Sequence, residues 1–200
     1  SCSILFLWLV RMLWPDQKIP VLIMAIIFTV YPGFLMQPNA NTFQNHFICY
    51  GFCLLSIALS IKALLLKRKN QKIILTLFGC LSCLIYLLIY EYVIGMEIVR
   101  IALFILLIKR SEPNINFNKA VRKTFTHWLP YLLIIFTFMF WRLVIFKSAR
   151  SSTDLSTLLP IYLQNPQSAL LRLFNETILG FVNSVLFAWG VPAYELIKYV

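Results

Sequence analysis

Residues 73–110 read IILTLFGCLSCLIYLLIYEYVIGMEIVRIALFILLIKR. As one helix this stretch would reach about 57 Å, nearly twice the ~30 Å of a bilayer's hydrocarbon core. Two spans joined by a tight turn fit better, 73–90 and 92–108, with Glu91 at the turn. Runs this long and this apolar belong to membrane spans, and the rest of the chain is written the same way.

The 200 residues are 60% hydrophobic, 16% aromatic and 12% charged. A soluble domain carries roughly 25% charged residues, so too little polar surface remains here to coat a water-soluble globule. Outward from the central stretch, spans are expected at 19–36, 43–66, 128–146 and 173–197, with a shorter apolar run before Trp14-Pro15. That first run is short for a span of ~20 residues. It is expected to be a truncated span, and the chain one transmembrane domain, 1–200, cut from a longer protein. Segment 147–172 is more polar and broken by Pro160 and Pro166. It is expected to form short amphipathic helices on the membrane surface. The expected fold is thus all-α, a polytopic transmembrane helical bundle of six to seven spans.

Charge orients this bundle. The net charge of +11 comes from 18 Lys and Arg against 7 Asp and Glu. The bases gather in two loops, 62–72 and 109–123, each with five Lys or Arg. The positive-inside tendency puts both loops in the cytoplasm and requires an even number of spans between them, which the two-span reading of 73–108 supplies. Loops 37–45 and 147–172 then lie outside, although Lys147 and Arg150 sit in the latter. Bases spaced this way orient a membrane protein, and no motif points to nucleic acid. The expected partner is the lipid bilayer, and the expected location is the bacterial cytoplasmic (inner) membrane.

Charges within the spans mark where function is expected, because a charge in hydrocarbon costs several kcal/mol unless it is paired or lines a wet cavity. Glu91, Glu97, Arg100, Arg142 and Glu176 are those charges. From helical rise, Glu97 lies ~8 Å and Arg100 ~12 Å below the outer turn, Arg142 ~6 Å deep and Glu176 ~4 Å deep. Glu97 and Arg100, at i and i+3, share one helix face. If the spans are neighbours, Arg142 can reach Glu97 or Glu91. Two readings follow. One is a set of buried ion pairs that fix helix register, with Arg142 snorkelling to headgroups. The other is an outward-facing wet cavity whose arginines match phosphate oxygens and whose carboxylates bind a metal or act as a base.

Other residues carry less. Cys80-x-x-Cys83 has redox-like spacing but lies inside a span, where small apolar packing is the simpler role. His46 and His127 fall on opposite sides of the membrane and cannot share a metal. Asn175-Glu176-Thr177 matches a glycosylation acceptor at a membrane edge. Gly-rich phosphate loops, HExxH and GxSxG are absent, so no metal ligand set and no cofactor is assigned.

Three segments together resemble another group of proteins: Glu91-Tyr92-x-x-Gly95-x-Glu97-x-x-Arg100, Trp128-Leu129-Pro130-Tyr131 through Phe140-Trp141-Arg142, and the stretch ending in Asn165-Pro166. They are similar to uncharacterised bacterial polytopic membrane proteins and, loosely, to the GT-C class of membrane glycosyltransferases. The resemblance covers about half the chain and implies chemistry on the outer side with a polyprenyl-phosphate-linked substrate. GT-C enzymes carry an acidic residue or pair in the first outer loop, and 37–45 has none. The catalytic loop is then expected upstream of Ser1, and no catalytic residue carries over. The alternatives are a transporter or flippase, which favours repeats and paired half-helices not found here, and a non-catalytic membrane scaffold subunit.

Overall fold

The computed structural model describes residues 2–31, 40–146 and 164–188, with isolated positions up to 198. Seven helices are described: α1 (Cys2–Leu13), α2 (Lys18–Thr29), α3 (Ala40–Leu65), α4 (Lys69–Ile89), α5 (Met96–Ser111), α6 (Phe117–Phe140) and α7 (Pro166–Val182). No strand occurs among the described residues. Three helical stretches are long and apolar enough to cross a membrane, Gln44–Leu65, Lys69–Ile89 and Phe117–Ile145. The chain divides into two units, 1–29 with 39–139 and 30–38 with 140–200.

The first unit is built on the α3–α4 hairpin. Its seam is lined by small residues: Cys49, Cys53, Ser56 and Ser60 on α3, Gly79, Cys80, Ser82 and Cys83 on α4, all buried. Small side chains let two helix backbones approach closely, which is how helices associate where no water drives them together. Ser56 Oγ donates across the seam to the Gly79 carbonyl at 2.7 Å. The cysteines are therefore packing residues, and Cys80 and Cys83 are both free thiols. The opposite face of α4 exposes Ile73, Ile74, Leu77, Phe78, Leu81 and Leu88, spaced three, four or seven apart on one side of the helix. An apolar stripe that size, outside the core, is compatible with a surface that faces lipid.

The hairpin α1–α2 turns at Trp14–Gln17 and stacks Phe6 on Phe28 with ring centroids 4.3 Å apart. Twelve residues make each of its helices only ~18 Å long, short of a full span. α1 runs alongside α3 in the same direction. Cys2 Sγ donates to the Phe47 carbonyl near the start of α3, and Lys62 near its end lies 5.4 Å over the Trp8 ring.

After α4 the chain breaks at Tyr90, whose ψ of 108° is extended, and turns through a 3-10 helix, Glu91–Gly95. α5 then returns for 16 residues. The basic stretches are more helical than expected. Only Leu66–Arg68 separates α3 from α4, and α6 begins at Phe117 rather than near 128, so Lys119, Arg122 and Lys123 ride on a helix. The reason is periodicity: Ala120, Thr124, Tyr131, Ile135 and Phe138 form one buried stripe that starts inside the basic segment. Likewise, 40–45 belongs to α3 instead of a loop, and α7 begins at Pro166, so 166–172 joins it instead of forming a separate surface helix. Pro166 stands at N1, where its missing N–H costs nothing. Residues 147–163 of the expected surface segment lie outside the described residues, as do 32–36 of the expected second span.

This connectivity sorts charge. Arg11, Lys18, Lys62, Lys67, Arg68, Lys69, Lys72, Lys109, Arg110, Lys119, Arg122 and Lys123 all fall at one end of the first unit, with only Asp16 and Glu112 as acids. Arg110 donates to the Leu13 carbonyl there, tying the ends of α5 and α1 together. The other end carries Glu91 and aromatic packing. His46 stacks on Tyr90 at 4.4 Å and its Nδ1 lies 2.9 Å from the Tyr92 hydroxyl.

The second unit holds the end of α6 and all of α7. α6 ends in one wide turn, Trp141–Ile145, with the Arg142 guanidinium 4.8 Å over the Phe146 ring. α7 is exposed along almost its whole length, and the Tyr31 hydroxyl donates to the Ser184 carbonyl at 2.7 Å.

Candidate functional site

Among the described residues two charged side chains are enclosed, and they hold each other. Arg100 is 0% exposed and Glu97 4% exposed. Both belong to the first two turns of α5, and Arg100 Nη2 lies 2.8 Å from Glu97 Oε1. The i, i+3 spacing alone brings them to one face. What holds them in place comes from three other helices.

Glu97 Oε1 accepts the Tyr86 hydroxyl of α4 at 2.6 Å and Arg100 Nε at 3.1 Å, besides Nη2. Its Oε2 accepts the Trp128 indole N–H of α6 at 2.8 Å. Arg100 Nη1 donates to the Ser56 carbonyl of α3 at 3.2 Å, and Nη2 to Ser56 Oγ at 2.8 Å. The Tyr131 ring of α6 covers the guanidinium, whose carbon lies 3.9 Å from the ring centroid. A buried ion pair is tolerable when its remaining lone pairs and protons are hydrogen-bonded, and this one meets that condition through four helices.

The knot depends on glycine at one point. A Cβ at Gly79 would lie 2.6 Å from the Tyr131 hydroxyl. Gly79 thus lets the phenol sit against α4 while its ring covers Arg100. That hydroxyl is buried with no hydrogen-bond partner among the described residues, as is Thr124 Oγ1. The Tyr131 ring is therefore held by packing and by the cation beneath it.

Of the five residues marked in the sequence, Glu97 and Arg100 are brought together. Glu91 lies on the exposed turn between α4 and α5. Arg142 and Glu176 belong to the second unit, where Arg142 is half-buried and Glu176 exposed. The partners in the knot, Ser56, Tyr86, Trp128 and Tyr131, are not among those five charges. The Trp128 indole N–H serves the buried carboxylate, six residues after Arg122 on a helix that begins earlier than expected. The available signal was a general one: an enclosed Glu needs donors, and Tyr and Trp are the side chains that combine a donor with a large apolar body.

Among the described residues no set of three or more His, Cys, Asp or Glu is placed to hold a metal ion. No family model matches the chain, and neither the curated proteins nor the solved structures contain a detectable relative. The functional reading therefore rests on the residues alone.

Proposed function

We propose that the chain is a multi-span integral membrane protein whose first unit acts as a scaffold, with the Glu97–Arg100 knot as the clamp that sets helix register. The observation carrying this reading is the complete enclosure of Arg100 together with the use of both Glu97 oxygens by donors from α4, α5 and α6. A reacting carboxylate needs an open coordination site for substrate, and a register device needs the opposite. In this reading the basic end faces the cytoplasm and the His46–Tyr90–Tyr92 end faces outward, as the positive-inside tendency orients it.

The test is a pair of single changes and their combination, Glu97→Met, Arg100→Met and both together, followed as purified yield and thermal stability of the whole protein. Each single change leaves a buried group without its partner and lowers both quantities. The double change removes both charges and recovers most of the loss. A double variant that is abundant and stable yet abolishes a cellular activity that the parent supports would show that the pair reacts, and would end the scaffold reading.

A second reading is supported by Arg142 and Glu176, charged residues in apolar helical segments outside the knot. It is a glycosyltransferase-like activity with a polyprenyl-phosphate-linked donor, in which Arg142 binds phosphate. Here Arg142→Gln lowers surface polysaccharide without lowering protein yield. Unchanged polysaccharide at unchanged yield removes this reading.

A further inference from the structure

At the basic end of the first unit, a cleft of about 420 Å³ opens among the last turns of α3 and α5 and the early turns of α6. Its lining has two characters. Leu64, Leu65, Leu107 and Ile108 form an apolar part. Lys123, Thr126 and His127 form a polar wall, with Ser111 and Glu112 at the end of α5. The hydroxyls of Ser111 and Thr126 are used internally, donating to the Leu107 and Arg122 carbonyls. The groups left to meet a ligand are the Lys123 ammonium and the His127 ring. Lys72 on α4 and Lys119 and Arg122 on α6 add positive charge at the same end.

We propose that this cleft is a binding site for the headgroup of an anionic phospholipid, with the phosphate on Lys123 and His127 and the glycerol and upper acyl chain against the leucines. Three observations select a lipid over a water-soluble anion. The cleft lies beside the last turn of α3, a helix apolar enough to span a bilayer, and against the basic early turns of α6, a second such helix. Four of its nine lining residues are apolar, a surface that a free phosphate cannot use. The surrounding end gathers twelve bases against two acids, a field that concentrates anionic lipid. The inference rests on the membrane reading but on neither the scaffold nor the enzyme reading.

One of those two acids sets the terms of binding. Both Glu112 oxygens accept from Lys123 Nζ, at 2.6 and 2.7 Å. A lipid phosphate takes Lys123 in competition with Glu112, so the pair works as a latch. This gives the site opposite responses to two substitutions at exposed positions, which loss of folding cannot imitate.

The experiment titrates the purified full chain in mixed micelles with a fluorescent phosphatidylglycerol, and with the phosphatidylcholine of the same chains as reference. Saturable binding of phosphatidylglycerol is expected, with the reference at least about tenfold weaker, since several basic residues each contribute. Lys123→Gln weakens binding about fivefold, the effect of one basic side chain near a lipid phosphate. Glu112→Gln strengthens it. Arg172→Gln, in the second unit, leaves it unchanged. Inorganic phosphate in millimolar excess does not displace the lipid. Equal binding of the two lipids overturns the proposal, as does a Lys123→Gln variant that binds like the parent. An Arg172→Gln loss as large as that of Lys123→Gln reduces the effect to net charge and also overturns it. Displacement by inorganic phosphate replaces the lipid with a soluble anion and rejects the assignment.

Discussion

Arg100 and Lys123 each hold a glutamate at salt-bridge distance, 2.8 Å from Glu97 and 2.6 Å from Glu112. The first pair has side chains 0% and 5% exposed, the second 49% and 51%. Water screens the second, and each of its members can find solvent if the other leaves. The first has no such alternative. Breaking it leaves a charge enclosed by helices, and that penalty is what fixes Ser56, Tyr86, Trp128 and Tyr131 around it. The bond lengths are nearly equal, so burial decides which pair organises the fold and which is free to exchange partners.

The comparison breaks most sharply at Arg100. Arg100→Met leaves Glu97 enclosed without its cation, and a loss of about 3–5 kcal/mol is expected, read as thermal unfolding of the purified protein in detergent. If Arg100→Met unfolds like the parent, Glu97 has another neutralising partner and the knot is not the organiser. Trp128→Phe probes the same carboxylate from α6. It keeps the aromatic body and removes the one donor that reaches Oε2 among the described residues, so a loss of about 1.5–3 kcal/mol is expected in the same assay. A smaller effect than that of an equivalent Tyr86→Phe change would rank the α4 contact above the α6 contact.

Gly79→Ala tests the knot without touching a charge. One methyl group placed 2.6 Å from the Tyr131 hydroxyl forces the ring to move, and the ring lies on Arg100. Overpacking of this kind costs about 1–3 kcal/mol. Combining it with Tyr131→Leu relieves the clash, and a double-mutant cycle then reports the coupling between the two sites. Additive losses would show that Tyr131 already moves freely.

These contacts also show what the sequence makes legible. The break between α4 and α5 follows from length alone, because 38 apolar-rich residues exceed one bilayer thickness. The Glu97–Arg100 pairing follows from i, i+3 spacing and from the cost of either charge in hydrocarbon. The rest of the knot depends on how α3, α4 and α6 are rotated about their axes. That rotation is set by the seam of Cys, Ser and Gly residues, which any of several registers could use. Ser56 and Tyr86 therefore look like ordinary span residues until the helices are packed. The start of α6 was hidden for another reason. Lys119, Arg122 and Lys123 read as a basic loop, while Ala120 and Thr124 among them carry the buried stripe of the helix.

The exposed pair sharpens the comparison from its weak side. Lys123→Gln and Glu112→Gln are each expected to change stability by no more than about 1 kcal/mol, since half-exposed ion pairs contribute little after screening and side-chain entropy. The remaining effect should shrink as salt rises from 0.05 to 0.5 M, because the Debye length falls from beyond 10 Å to a few ångströms. The Arg100→Met loss should not shrink, because no ions enter the space between α3, α4, α5 and α6. Unfolding both variants across that salt range therefore separates the two pairs by a property that bond length does not report. Equal salt sensitivity would mean that water reaches Glu97, and the enclosed pair would then have to be regarded as another surface one.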